Sequence, residues 1–131
     1  MRHIIRFAAI LTLVPALGWA ATATAPSGGK TRIASHFRVD GQCNPSRVEI
    51  TVLKAPANGT VTYERQDVVI PKQNTKGENQ RCVGKTVAGV VMFYQSKPGF
   101  AGTDSFRYRR FNPNDANDRF NVEISYDIAV K

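Results

Sequence analysis

Arg119-Phe-Asn-Val-Glu-Ile-Ser-Tyr-Asp-Ile-Ala-Val-Lys131 sets Phe120, Val122, Ile124, Tyr126, Ile128 and Val130 against Asn121, Glu123, Ser125, Asp127 and Ala129. Alternation of apolar and polar side chains with a period of two marks a strand that has one face in a core and the other in water. The same period governs the chain upstream. Residues 103–111 put Phe106 and Tyr108 on one face and Arg107 and Arg109 on the other, which assigns Phe106 and Tyr108 to the core. Residues 87–95, Val-Ala-Gly-Val-Val-Met-Phe-Tyr-Gln, are apolar enough for a central strand and are ended by Pro98-Gly-Phe-Ala-Gly102.

Further outward, Val48, Ile50 and Val52 alternate with Glu49, Thr51 and Leu53. Pro56-Ala-Asn-Gly59 follows, and Asn-Gly supplies the left-handed backbone of a tight turn, so a hairpin or sharp corner is expected before the strand at 60–64. A further short strand is expected over residues 67–70, a first one over 33–39, and a polar loop over 72–80. Helical spacing is absent. Six or seven strands separated by turn signals predict an all-β, immunoglobulin-like antiparallel β-sandwich, with a small closed barrel as the competing architecture.

The N-terminus has a different character. Arg2, His3 and Arg6 precede an apolar run over residues 7–14 that is too short to span a bilayer, and Pro15, Gly18 and small residues end it. This predicts a secretory signal peptide over residues 1–20, cut after Ala20, with Ala23 and Ala25 as alternative sites. A mature chain of 111 of the 131 residues would follow, and loss of Arg2 and Arg6 lowers the formal charge from +8 to +6. Residues 21–30, rich in Ala, Thr, Pro, Ser and Gly, are expected to be a flexible leader, and 31–131 the single folded domain. No apolar stretch in the mature part predicts a membrane span, and a periplasmic or secreted location follows from the signal.

Cys43 and Cys82 are the only cysteines, and an even count in an exported chain predicts one disulfide. Such a bridge contributes about 3–4 kcal/mol on the chain-entropy treatment. A metal pair or a catalytic thiol is the alternative, but there is no CxxC and only His36 survives removal of the leader.

Three stretches together carry a resemblance. Ala55-Pro-Ala-Asn-Gly-Thr-Val-Thr-Tyr63, Val91-Met-Phe-Tyr94 and Pro98-Gly-Phe-Ala-Gly-Thr-Asp-Ser-Phe-Arg-Tyr108 resemble the cadherin-like, immunoglobulin-like repeat domains of bacterial surface proteins, over about residues 48–130. The resemblance implies a sandwich fold and does not fix a role. This chain departs from it in having one copy, one cysteine pair and a polar insertion before Cys82, as a small stand-alone exported version would. The last stretch also has a physical rationale: Gly99 and Gly102 permit a tight path, Phe100 can plug the end of the sandwich, and the Asp104 carboxylate can accept backbone N–H bonds at the strand start.

Catalytic equipment is sparse. A lone His36 on the expected first strand has no nucleophile motif beside it; G-x-S-x-G, H-E-x-x-H and the P-loop are absent. Glu49, Glu64 and Glu123 sit on strands whose partners the sequence does not locate, so no carboxylate pair is legible. Asp115, Asn117 and Asp118 are the residues a calcium ion would take, but the spacing lacks the Gly and distal Glu of a calcium loop, and Asp and Asn also make turns. No metal and no cofactor is favoured. Lys97, Arg107, Arg109 and Arg110 form the densest basic patch, a candidate seat for an anionic partner or else a set of cross-strand pairs with Glu123 or Asp127. Expected partners are an envelope protein or glycan; nucleic acid is not expected, because the basic residues are scattered.

These readings predict a non-enzymatic binding module of the cell envelope. The alternatives are an assembly protein that pairs through an edge strand and a basic inhibitor or modulator of an envelope enzyme.

Overall fold

The computed structural model describes residues 19–73, 75 and 77–131. The expected signal peptide lies, but for Trp19 and Ala20, outside the described residues. Seven strands form two sheets. They are β1 (Trp19–Ala25), β2 (Lys30–His36), β3 (Glu49–Lys54), β4 (Gly59–Val69), β5 (Thr86–Ser96), β6 (Gly102–Phe111) and β7 (Val122–Val130), with a short 3-10 helix at Gly77–Cys82. One sheet has the order β1-β7-β6-β3 and the other β2-β5-β4. All pairings are antiparallel except that of β1 with β7.

The inward faces share one hydrophobic cluster, to which β1, β3, β5, β6 and β7 all contribute buried side chains. Tyr94, Met92, Phe106, Tyr108 and Ile128 are fully buried. The rings of Phe106, Tyr108 and Tyr126 stack with centroids 5.3 to 6.2 Å apart, an arrangement available because Phe106 and Tyr108 share one face of β6 and Tyr126 stands opposite Phe106 on β7. The period of two that predicts these strands is therefore also what fills the core. A smaller cluster, Val39, Ile70, Cys82 and Val87, collects around the Cys43–Cys82 disulfide.

Three expectations change. Residues 21–30 are not a loose leader, since Trp19–Ala25 pairs along its whole length with β7, Ala21 through Ala25 lying beside Tyr126 through Val130. Ala21, Ala23 and Ala25 point at the core while Thr22 and Thr24 face out, and the low contrast between Ala and Thr hides this alternation from a reading of composition. The segments 60–64 and 67–70 are one continuous strand, because Arg65 and Gln66 occupy an edge strand whose exposed faces accept polar side chains while its backbone stays paired to β5. Val39 lies beyond β2 and makes an isolated bridge to Pro45.

The Asn58-Gly59 turn is a corner that carries the chain from one sheet to the other. A side chain at Gly59 would stand 2.7 Å from the Tyr94 ring and the Gln95 carbonyl oxygen, so the close approach requires glycine.

The strand directions give the domain two ends. At one end meet the start of β6, the 55–58 turn and the 97–101 turn. At the other lie the long connections 37–48, 70–85 and 112–121.

Candidate functional site

The end with short turns is closed by a single carboxylate. Asp104, near the start of β6, is 3% exposed and accepts from the N–H groups of Ala57 (3.1 Å), Asn58 (3.2 Å) and Ser105 (3.0 Å) and from the Tyr94 hydroxyl (2.7 Å). Burial, and then the hydrogen bond to Asp104, raises the Tyr94 phenol far above its ordinary range and keeps it a donor. Acceptance of backbone N–H bonds is the role the sequence assigns to Asp104. Phe100 packs against the main cluster beside it.

The end with long connections is built differently. The disulfide ties the 37–48 connection to the 70–85 connection, with 5.4 Å between the Cα atoms of Cys43 and Cys82. An ion pair from Arg38 Nε to Asp118 Oδ2 (3.2 Å) ties the 37–48 connection to the 112–121 connection. Between them lies a cleft of 480 Å³, walled by residues of the 34–39 segment, by Gln73, Thr75 and Asn79, and by Arg110, Phe120 and Tyr126. Among the described residues no acidic side chain lines it.

Arg110 ends the same strand that Asp104 begins, and it lies in phase with Phe106 and Tyr108, so its side chain enters the cleft floor. Its Nε donates to the Phe120 carbonyl (3.2 Å), its guanidinium lies 4.4 Å from the Phe120 ring centroid, and its Nη1 donates to His36 Nδ1 (3.2 Å). Since Arg can only donate, Nδ1 is the acceptor and a neutral His36 carries its proton on Nε2, which faces the Tyr108 hydroxyl at 2.7 Å. Burial, and then the adjacent Arg110 charge, pushes His36 down to about 4, so the imidazole is neutral at neutral pH. Burial also lowers Arg110. Among the described residues no carboxylate lies within ion-pair distance of Arg110.

The four basic residues grouped by sequence are therefore not one patch. Arg107 and Arg109 project from the outer face of their sheet, Arg107 loosely paired with Glu123 at 4.0 Å and Arg109 5.0 Å from the Phe111 ring. Lys97 is at the opposite end, where its Nζ donates to the Ala57 carbonyl (3.3 Å). Of the four, Arg110 alone lines the long-loop cleft, while Arg107 lines a groove on the outer sheet face with Lys54, Ser105, Ser125 and Asp127. The partners of Arg110, His36 at the end of β2 and Phe120 in the 112–121 connection, are ones that the sequence does not place next to it. The phase of Arg110 with Tyr108 was the available signal for its inward direction.

The Asp and Asn cluster has a conformational explanation. The side-chain oxygens of Asn112, Asp115 and Asp118 each accept the N–H two residues on, from Asn114, Asn117 and Phe120, and the backbone turns 112→115, 115→118 and 118→121 follow one another. Asp118 spends its other oxygen on Arg38 and on the Asn112 amide. Among the described residues no group of three or more His, Cys, Asp or Glu side chains is placed to hold a metal ion. Of the three glutamates, Glu49 accepts from Arg47 and Arg65 at 2.6 Å each, and chiefly the Arg47 hydrogen bond holds its carboxyl below the usual range. Glu64 accepts from Gln66, and Glu123 faces Arg107.

No family model matches the chain, and no curated protein or solved structure matches it.

Proposed function

We propose that this protein is a non-enzymatic interaction module of the cell envelope, exported by its N-terminal signal, whose immunoglobulin-like, cadherin-like sandwich presents the long-loop end to a partner. The strand order β1-β7-β6-β3 over β2-β5-β4, with the first strand parallel to the last, supports the immunoglobulin-like assignment. The observation that carries the functional reading is the fastening of three connections, by the Cys43–Cys82 bridge and the Arg38–Asp118 pair, around an open cleft of mixed polar and apolar lining. Loops held by a rigid scaffold are where binding residues concentrate. A disulfide suits a compartment outside the cytoplasm.

A photo-crosslinking residue at Gln73, at the cleft rim, compared with one at Thr62 on the outer strand β4, tests this in intact cells. Capture of an envelope component from position 73 and not from 62 supports the reading. Self-crosslinks from position 62 would favour the assembly reading instead, which rests on β4 being an eleven-residue edge strand with Tyr63 and Val69 exposed.

A further inference from the structure

A half-buried cation is costly unless something balances it, and Arg110 has no counter-charge within the described protein. Of the five N–H donors of a guanidinium, two are accounted for, one to the Phe120 carbonyl and one to His36 Nδ1. Nη2 has no partner in the described protein, yet no buried side-chain nitrogen or oxygen is left unsatisfied. Nη2 must therefore reach the solvent of the cleft. The group is also held rigidly: the Phe120 ring lies under its plane, the Phe120 carbonyl fixes Nε, and His36, itself held by Tyr108, fixes Nη1. The plane is fixed and one edge is open.

We propose that Arg110 is the seat of a carboxylate, and that the long-loop cleft recognises a ligand by one such group. This rests on the reading of that end as the binding end and names the chemistry it would recognise. Charge selects the ligand. Arg38 is already neutralised by Asp118, and His36 is neutral, so among the described residues that line the cleft Arg110 is the single uncompensated positive charge. One carboxylate balances it, whereas a phosphate dianion would leave a buried negative charge over. Geometry agrees, because a planar guanidinium edge matches the two oxygens of a carboxylate, while phosphate sites usually gather several donors around three oxygens. Partial burial of Arg110 strengthens the attraction over that of exposed Arg107 or Arg109.

Titration of the full mature protein with acetate, followed by NMR of the arginine side chains and the His36 ring, tests the seat directly. The expected result is saturable shifts at Arg110, His36 and Phe120 that weaken more than about tenfold in Arg110→Gln and are unchanged in Arg107→Gln. Because Arg110→Gln can also disturb folding, the map of shifts on the unaltered protein stands as an independent readout. Shifts confined to the Arg107–Glu123 face, or none up to acetate concentrations of tens of millimolar, would overturn the proposal, as would inorganic phosphate binding more tightly than acetate. Glucuronate and N-acetylalanine, each against its methyl ester, then separate an acidic glycan from a peptide C-terminus as the source of the carboxylate. Capture of a partner at position 73 without any acetate response sinks the carboxylate seat and leaves the loop-end reading standing. An acetate response without capture supports the seat and removes the envelope partner.

Discussion

Strand β6 carries an inward-facing charge near each end, Asp104 buried and Arg110 half-buried, and the protein treats the two in opposite ways. Asp104 at its start is surrounded by four donors, three of them backbone N–H groups, and no cleft opens onto it. Arg110 at its end has two acceptors, no counter-charge among the described residues, and an open edge in a cleft of 480 Å³. Both side chains follow the inward phase of Phe106 and Tyr108. A buried charge with all its partners supplied by the protein itself fastens structure, and a charge left partly unmatched at the mouth of a cleft is available for a ligand. The Asp104 end is the fastener and the Arg110 end the receptor.

Removal of each group from the protein should expose this difference. The largest effect is expected for Asp104→Ala, which strands the N–H groups of Ala57, Asn58 and Ser105 and the Tyr94 hydroxyl and should cost about 3–5 kcal/mol in chemical denaturation. Asp104→Asn should cost less, since one oxygen still accepts. If Asp104→Ala loses under about 1 kcal/mol, the fastener description is wrong.

Next in size is the bridge that fastens the receptor end. Cys43→Ser with Cys82→Ser opens a loop with a sequence separation of 39 and should cost about 3–4 kcal/mol. Amide exchange should accelerate most in 37–48 and 70–85 and least around Asp104, because the bridge spans only the long-loop end. Uniform acceleration over both ends would erase the distinction between them.

The two ends also differ in how legible they were. Alternation over 103–111 and 119–131 announces the core strands, and the Gly99-to-Asp104 stretch announces an aspartate that accepts backbone N–H bonds, but of its four donors only Ser105 is a sequence neighbour, and Ala57 and Asn58, 47 and 46 residues away, are not legible from it. The cysteine count announces the bridge. The receptor end depends on contacts of long sequence separation, 74 residues from His36 to Arg110 and 80 from Arg38 to Asp118, which no local pattern encodes. Three adjacent arginines read as one patch only while the phase that turns Arg110 inward and Arg107 and Arg109 outward is left out. The first strand was hidden for another reason: Ala and Thr alternate there with little contrast in polarity, yet Ala25 is 1% exposed. That burial bears on processing. If the proposed signal peptide is removed, cleavage after Ala20 keeps the inward-facing Ala21, Ala23 and Ala25, so N-terminal sequencing of the processed protein should begin at Ala21, whereas a start at Pro26 would leave β7 a free edge.

A smaller effect is expected from acid. His36 is held at about 4 in the folded protein against an ordinary 6.5, so the unfolded chain binds a proton that the folded one refuses. Its contribution is complete above pH 6.5 and is lost as pH falls toward 4, by at most about 3 kcal/mol. Asp40, Glu49 and Asp118 are lowered in the folded state, and their contributions, which are present above their ordinary values, disappear only at more acid pH. The decline between pH 6.5 and 4.5 therefore belongs to the receptor end, and His36→Gln should flatten it.

The smallest change in stability, and the sharpest test of the comparison, is expected for Arg110→Met. Methionine fills a similar volume and removes the burial cost of an unbalanced cation, while His36 Nδ1 and the Phe120 carbonyl, which bound Arg110 beside the open cleft, can turn to water. Stability at neutral pH should stay within about 1 kcal/mol of the unaltered protein, or rise. The same substitution takes away the second cause of the lowered His36 value, so the folded His36 should titrate closer to 6.5 and the acid-dependent loss should shrink. A loss as large as that of Asp104→Ala would make Arg110 a second fastener. Near-neutral stability with a shifted His36 titration would leave it as a charge held open for something outside the chain.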